Sequence, residues 1–286
     1  MEKGKLYLVG TPIGNLKDIT LRAIETLKEV DIILAEDTRQ TLKLLNHLGI
    51  SKRQISYHRH NEKDKISEVK ELLDEGKNIA LVSDAGMPRV SDPGEALTEY
   101  LIHEGYKVEV VPGVTALATA ICYSSFDIDT FVFEGFMPLR PTRRHERLEK
   151  LKYETRAIVF YEAPHKILKT LKDLLKYLGN RECVIARELT KLHEECRYST
   201  IKEQIDIIEQ EGIKGEIVLI VKGNELGDKE KKEEEDILTG KDKMTDKELV
   251  EYYIALGDTK KDAIKKVAKE RNKTKNDVYM ECIDER

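Results

Sequence analysis

The sequence predicts an α/β protein: two α/β domains in succession, followed by a small C-terminal helical module. Three observations carry this. Short uncharged apolar runs, such as Ile79-Ala-Leu-Val82 and Ile217-Val-Leu-Ile-Val221, recur along the chain. A run of this kind, without alternation, reads as a strand buried on both faces, as in a parallel sheet. Segments of helical periodicity separate the runs, at the spacing of βαβ units. Beyond Lys222 the character changes: residues 228–236 are all charged and cannot form a core. The boundaries implied are 1–114 and 115–223 for the two α/β domains, 224–243 for a charged linker and 244–286 for a basic helical module.

Residues 5–9 read as the first strand, followed by the loop Gly10-Thr-Pro-Ile-Gly-Asn15. Thr20 is placed to cap a helix running through Val30. Residues 31–35 form a second strand. The helix after it runs to about Leu48, with Gly49 at its stop. Residues 51–58 are a third strand, and a charged helix then reaches Glu75. The strand at 79–82 turns into a loop, Ser83 to Pro88. Asp92-Pro93-Gly94 follows, where Asp92 suits a helix cap and Pro93 the first helical position. Residues 107–111 complete a mostly parallel sheet and end on Pro112-Gly-Val-Thr115-Ala116. The second half offers strands at 130–134, 156–161, 182–186 and 215–221, with helices at 166–178 and 201–211. In the tail, residues 245–256, 259–271 and 274–283 have helical periodicity, with Thr245, Thr259 and Thr274 at N-cap positions.

Composition narrows the function. The 286 residues are 40% hydrophobic and 36% charged, ample for a core beneath a heavily charged surface. A net charge of -5 means that nucleic-acid binding has to come from local patches. Two are present. Residues 140–156 carry seven Lys/Arg against three Glu, and residues 260–275 carry eight against two acids. Such runs are either solvated helix faces or phosphate contacts. Cys122, Cys183, Cys196 and Cys282 form no CxxC pair and no zinc spacing, as expected of thiols in a reducing cytosol. The N-terminus reads as a strand start rather than a signal peptide. The longest uncharged run, 110–126, is broken by Pro112 and Gly113 and is too short and polar to span a bilayer. No HExxH or Cys/His cluster suggests a metal, and the loop at Gly10 is neither GxGxxG nor a P-loop.

In an open α/β sheet, ligands sit at the carboxyl ends of strands. Asp84 is placed there, either to meet a ligand's hydroxyls or positive charge, or to satisfy amides in its own turn. Several loops at strand ends form a pattern: Gly10-Thr-Pro-Ile-Gly-Asn15-Leu-Lys-Asp18, Ala35-Glu-Asp-Thr-Arg39, His60-Asn-Glu62, Ser83-Asp-Ala-Gly86 through Ser91-Asp-Pro-Gly94, Glu134-Gly-Phe136, Phe160-Tyr-Glu162 with Pro164-His165, and Ala186-Arg-Glu-Leu-Thr-Lys191. Together they resemble the bacterial 16S ribosomal RNA (cytidine-2'-O)-methyltransferases, a family with the tetrapyrrole-methylase fold. The resemblance covers about residues 5–223.

That resemblance implies two domains of the tetrapyrrole-methylase type with a cofactor cleft between them. It also implies 2'-O-methylation of a cytidine ribose in the decoding region of 16S rRNA, by a cytoplasmic homodimer, with no metal and no membrane. The methyl donor is S-adenosylmethionine, held by Asp84, Ala85, Gly86, Met87, Thr115, Ala116, Tyr161 and Leu189. Tyr161 has the alternative of packing the domain interface. Lys191 is the first candidate to support the departing proton and Glu188 the second, the alternative being a local Glu-Lys surface pair. For RNA the candidates are Arg39, Asn61, Arg140, Arg143 and Arg144, with the basic tail assisting and Phe136 available for stacking. The pattern departs from the family at Met87 (usually Thr), Val114 (often Pro), Ala163 (Ser) and Lys166 (Arg). Rival readings are a methylase of the same fold acting on a tetrapyrrole or a modified histidine, and a non-catalytic RNA-binding member.

Overall fold

Five parallel strands build the first sheet: β1 (Leu6–Val9), β2 (Ile32–Ala35), β3 (Arg53–Ser56), β4 (Ile79–Val82) and β5 (Val108–Val111), in the order β3-β2-β4-β1-β5. The computed structural model describes residues 2–225 and 240–282. β2 and β4 are buried along their whole length, which is why they carry no polar side chain. The crossovers are α1 (Leu21–Glu29), α2 (Thr38–His47), α3 (Glu62–Asp74) and α4 (Glu95–His103). Because every strand runs the same way, the loops after β1, β2, β4 and β5 gather at one edge of the sheet. Thr20 caps α1 as expected, accepting the Ala23 N–H at 3.1 Å.

The cap expected at α4 does not form. The N-cap residue is Gly94, with φ 124°, and Asp92 lies outside the helix. A carboxylate from the neighbouring helix takes the role instead. Glu62 Oε1, at the start of α3, accepts the N–H groups of Gly94 and Ala96 at 3.1 and 3.0 Å. That satisfies two of the amides a helix N-terminus leaves unpaired.

The second sheet runs β6 (Phe131–Phe136), β7 (Ala157–Glu162), β8 (Glu182–Arg187), β9 (Glu195–Thr200) and β10 (Ile217–Val221), in the order β6-β7-β10-β8-β9. Only β6 and β7 are parallel; β10 runs antiparallel to both β7 and β8, and β9 antiparallel to β8. Two elements here lie beyond the sequence expectation. β9 is an edge strand of sequence Glu-Cys-Arg-Tyr-Ser-Thr, without an apolar run to announce it. A six-residue helix, α5 (Ala116–Ile121), forms inside the uncharged run, with Thr115 accepting the Ala118 N–H at 3.1 Å. α6 (Pro141–Leu151), α7 (Pro164–Leu178) and α8 (Ile201–Glu211) complete this half.

The chain divides into two compact units, Met1–Asn224 and Glu225–Arg286. Both sheets belong to the first. In the second, α9 (Asp246–Ala255), α10 (Lys260–Glu270) and α11 (Lys275–Glu281) bury Leu249, Val250, Ile264, Val267 and Val278. Thr245, Thr259 and Thr274 cap these helices as expected. Most of the proposed linker, including 228–236, lies outside the described residues, as does Ile283. Among the described residues no helix is long and apolar enough to cross a membrane.

Glu62→Ala removes the α4 cap and should cost about 1–2 kcal/mol of stability, read as a lower urea midpoint at constant m-value. An unchanged midpoint would mean that water serves the α4 amides equally well.

Candidate active site

The loop after β1 organises the site. Thr11 N–H donates to the Gly86 carbonyl at 2.9 Å and Gly86 N–H returns to the Thr11 carbonyl at 3.1 Å. Thr11 Oγ1 also donates to the Ser83 carbonyl at 3.2 Å. At Gly10 the chain passes the loop after β5 so closely that a Cβ would stand 2.7 Å from Gly113 N and Cα. The same loop then reaches the second sheet. Ile13, 7% exposed, joins a buried cluster with Val159, Val184, Leu189 and Val218. A Cβ on Gly14 would stand 2.6 Å from Lys191 Cγ, and Asn15 N–H donates to Thr190 Oγ1 at 3.0 Å.

Between the two sets of loops lies a cavity of about 360 Å³, within the size range of small-molecule sites. All eight residues expected to hold the cofactor line it: Asp84, Ala85, Gly86, Met87, Thr115, Ala116, Tyr161 and Leu189. Antiparallel β10 supplies further wall. Its first residue, Ile217, sits opposite both Glu162 and Arg187, so Glu216, Ile217 and Val218 arrive at the same rim as the ends of β7 and β8. Tyr161 is held in place: its hydroxyl accepts the Leu117 N–H at 2.9 Å, and its ring meets Phe133 edge-on at 4.9 Å. Burial raises that hydroxyl's pKa above the ordinary tyrosine value.

The wall is acidic. Glu36, Asp84 and Asp92 all line it. Burial raises the pKa of Glu36, and the Asp84 charge adds to the effect. Burial also raises Asp84, against the pull of the Asp37 N–H, which donates to Asp84 Oδ1 at 2.9 Å. Asp92 is pushed up to about 7, first by burial and then by the Glu36 charge. Sequence reasoning missed Glu36 and Asp92 as wall residues. Both stood inside quoted loops, Ala35-Glu-Asp-Thr-Arg39 and Ser91-Asp-Pro-Gly94; Asp92 was assigned to a helix cap instead.

Other candidates sit elsewhere. Lys191 and Glu188 are not part of the wall. Lys191 Nζ lies 3.0 Å from Glu188 Oε1 and 2.9 Å from Glu216 Oε2, and the Glu216 N–H donates to Glu188 Oε1 at 2.9 Å. The Glu216 N–H, with Lys191 beside it, holds the Glu188 carboxyl below its ordinary range. Desolvation pulls the Lys191 pKa down, but Glu216 and Glu188 outweigh it, and the ammonium is stabilised. Through Glu216 the pair touches the cavity at one remove.

Arg39 is exposed and forks onto Asp37 at 3.0 and 2.7 Å. Arg140 and Arg143 are exposed at the start of α6. Arg144 is not available to RNA: it is 7% exposed, with Nε 2.7 Å from Asp173 Oδ2 and Nη2 2.9 Å from Thr170 Oγ1. The helical period turns it inward, one position from exposed Arg143. Asn61 is also committed, its Oδ1 accepting the His58 N–H at 2.8 Å and its Nδ2 donating to the Ser56 carbonyl at 3.0 Å. Both ends of the amide are spent on its own loop. Among the described residues no group of three or more His, Cys, Asp or Glu is placed to hold a metal.

Comparison with known proteins agrees with this architecture. Residues 5–205 match the family described as Tetrapyrrole (Corrin/Porphyrin) Methylases. A protein of Halalkalibacterium halodurans called Ribosomal RNA small subunit methyltransferase I is 47% identical over 278 residues, 97% of this chain and 94% of the relative. One of the same name from Thermotoga maritima is 50% identical over 222 residues, 78% of this chain and all of the relative. Among solved structures, a cobalt precorrin-4 methyltransferase superposes with TM-score 0.61 at 20% identity, over 76% of this chain and 94% of that one. A diphthine synthase does so with TM-score 0.58 at 14% identity, over 77% and 90%. Fold and cleft together define the class, that of the tetrapyrrole methylases. Within it, the chain belongs to the family of the ribosomal RNA small subunit methyltransferase I proteins.

Asp84→Ala should weaken S-adenosylmethionine binding about ten- to a hundredfold, as loss of a charged hydrogen-bonding group does. Unchanged affinity in calorimetry, with the protein still folded, would reduce Asp84 to a turn residue that serves the Asp37 amide.

Proposed function

We propose that this protein transfers the methyl group of S-adenosylmethionine to the ribose 2'-oxygen of a cytidine in the decoding region of 16S rRNA. It is a methyltransferase, and its methyl donor is S-adenosylmethionine. The observation that carries the reading is the cavity itself, lined by acidic and by small residues, in a chain 41–50% identical to curated small-subunit rRNA methyltransferases. The residues fit the donor. Glu36, Asp84 and Asp92 offer negative charge to a cationic sulfonium and its ammonium, and Ala85, Gly86, Ala116 and Ala163 leave backbone accessible to a nucleoside.

The chemistry asks little beyond alignment. S-Adenosylmethionine supplies an activated methyl group, and positioning the acceptor oxygen in line supplies much of the rate. Asp84 to Met87, Thr115, Ala116, Tyr161 and Leu189 hold the donor side. Lys191, neutralised by Glu188 and Glu216, fixes the loop that carries Leu189 and the position of Glu216. Phe136, 53% exposed at the cavity mouth, is placed for stacking an extruded base. Exposed Arg39, Arg140 and Arg143 are the phosphate contacts in this reading. The sequence identity favours rRNA over a tetrapyrrole or a modified histidine, since the solved methylases acting on those are 14–20% identical.

The domains assigned are 1–114 and 115–223, with 244–286 as an accessory RNA-binding module. The family match ends at residue 205, short of this module, and 78% of this chain matches the Thermotoga relative over its whole length, which supports an accessory role. The protein works in the cytoplasm as a homodimer, a state that light scattering reads as twice the 32.9 kDa chain mass.

Two outcomes test this. Nucleoside mass spectrometry of 16S rRNA treated with enzyme and labelled donor should find the label on the ribose of a cytidine. Label that stays on the free base after glycosidic cleavage overturns the ribose assignment. For the module, replacing exposed Lys261, Lys265 and Lys269 by Gln should flatten the salt dependence of RNA affinity by about 0.7 log units per lost phosphate contact. An unchanged slope would assign these lysines to a solvated face.

A further inference from the structure

We propose that Asp92 is the general base of the reaction, the group that takes the proton of the attacking ribose hydroxyl. This deepens the function proposed above and rests on it. Five acidic residues line the cavity, and two are spent elsewhere: Glu216 accepts from Lys191, and Glu162 from Thr170 and the Ala163 N–H. Asp84 Oδ1 accepts the Asp37 N–H. At Glu36 the nearby Asp84 N–H and the charges of Arg59 and His58 pull the pKa down, against burial and the Asp84 charge. An accepted amide pulls a carboxyl's pKa down, and at Asp84 it opposes the rise that burial causes. Among the described residues no backbone amide donates to the Asp92 carboxylate; it lies near the Ser83 hydroxyl, which itself donates to the Ala85 and Gly86 carbonyls at 3.4 Å.

Its freedom is built into the fold. Glu62 caps α4, so the helix makes no claim on the Asp92 carboxylate. The loop that carries it is strained. Arg89 and Ser91 occupy the left-handed region, with φ 72° and 71°. Non-glycine residues persist there only where the surroundings over-determine the loop, a pattern common at working sites. Here Arg59 Nη2 donates to the Ser91 carbonyl, and a Cβ on Gly135 would stand 2.9 Å from Ser91 Oγ, so the first sheet's helix side and β6 both constrain the loop.

The groups facing Asp92 are Glu36 from the loop after β2, Ser83 and Asp84 from the loop after β4, Arg59 from the loop before α3, and Tyr161 from β7. Burial, Glu36 and Asp84 raise the Asp92 pKa to about 7, while Ser83 and Arg59 pull it back. A base poised near neutrality combines a useful ionised fraction with real affinity for the proton. Lys191 lacks this position: it is paired with two carboxylates, outside the cavity wall, and stabilised in its protonated form.

The step balances. As the ribose oxygen bonds the methyl carbon, the carbon–sulfur bond breaks and its electron pair stays on sulfur. The hydroxyl proton passes to a carboxylate oxygen of Asp92 and then to solvent. A sulfonium and a carboxylate are consumed; a neutral thioether and a carboxylic acid result.

The test compares wild type with Asp92→Asn and Asp92→Glu in single-turnover methylation of small-subunit RNA at saturating donor. The wild-type rate should rise with pH through an inflection at or below about 7, since the base works only when deprotonated and the bound cation lowers its pKa. Asp92→Asn should be slower by about 10²–10⁴-fold and lose that inflection, while Asp92→Glu regains a pH-dependent limb. A second readout needs no turnover. Just below pH 7, calorimetry in two buffers of different ionisation enthalpy should show the wild type releasing a proton as it binds S-adenosylmethionine, because a cation arrives beside a protonated Asp92. Asp92→Asn should release none. A variant within about fivefold of wild-type rate, or proton release that persists in Asp92→Asn, overturns the assignment. Ribose methylation at full rate by Asp92→Asn sinks Asp92 alone; methylation of the base sinks the functional reading itself.

Discussion

The burial of Ile13 in the core of the second sheet is the interaction on which the site depends. Ile13 belongs to a loop that begins at the end of β1, yet its side chain packs among Val159, Val184, Leu189 and Val218. Burying an isoleucine in this way contributes about 1.5–3 kcal/mol. The more important effect is geometric. The same six-residue loop bonds Gly86 through Thr11, brushes Gly113 through Gly10 and meets Thr190 through Asn15. The ends of β1, β4, β5 and β8 are therefore tied by one short stretch of chain. The cavity keeps its shape because these four ends, among the strand ends that line it, cannot move independently.

The electrostatics follow from that geometry. Glu36, Asp84 and Asp92 share a partly buried wall; burial raises all three, and nearby carboxylates add to the effect, Asp84 on Glu36, Asp37 on Asp84, and both Glu36 and Asp84 on Asp92. The arrangement costs stability in the empty protein. In the function proposed above, binding a cation would relieve it, and the strain would become affinity for a sulfonium-bearing ligand over its neutral thioether product. The same asymmetry favours product release, because loss of the sulfonium charge removes the attraction that the wall provides.

How much of this was legible in the sequence depends on what each residue had to announce. The first sheet was legible because parallel strands buried on both faces, such as β2 and β4, must be apolar throughout. β9 was not, since an edge strand pairs on one side only and needs no apolar run. Nor does composition record direction: Ile217-Val-Leu-Ile-Val221 would read the same in a parallel sheet, but it runs antiparallel to both neighbours and so brings Glu216 to the rim. The eight wall residues expected from loop patterns are all at the cavity, since loops at strand ends are local features. The errors came from long-range partners. Asp92 reads as a cap until Glu62, thirty residues earlier, takes that place. Arg144 reads as one more cation in a basic run until Asp173 and Thr170 close around it. Local charge counts overstate a binding surface in the same way: in the basic tail, Lys266 pairs with Asp258, and Lys273 with Asp246 and Glu281.

The departure at position 87 can be weighed on the same terms. A threonine hydroxyl there would matter if it pinned the loop after β4. That loop is already pinned from two sides without it. Thr11 exchanges a pair of backbone hydrogen bonds with Gly86, and its side-chain hydroxyl donates to the Ser83 carbonyl at 3.2 Å. The site a hydroxyl would serve is thus held by backbone, which is indifferent to the side chain at 87. Met87 meanwhile occupies space that Gly10 leaves open, with its Sδ 2.7 Å from where a Gly10 Cβ would be. An unbranched thioether adapts to such an irregular gap better than a branched side chain. Glycine at 10 and methionine at 87 are complementary, and Met87 lines the same cavity as Glu36, Asp84 and Asp92.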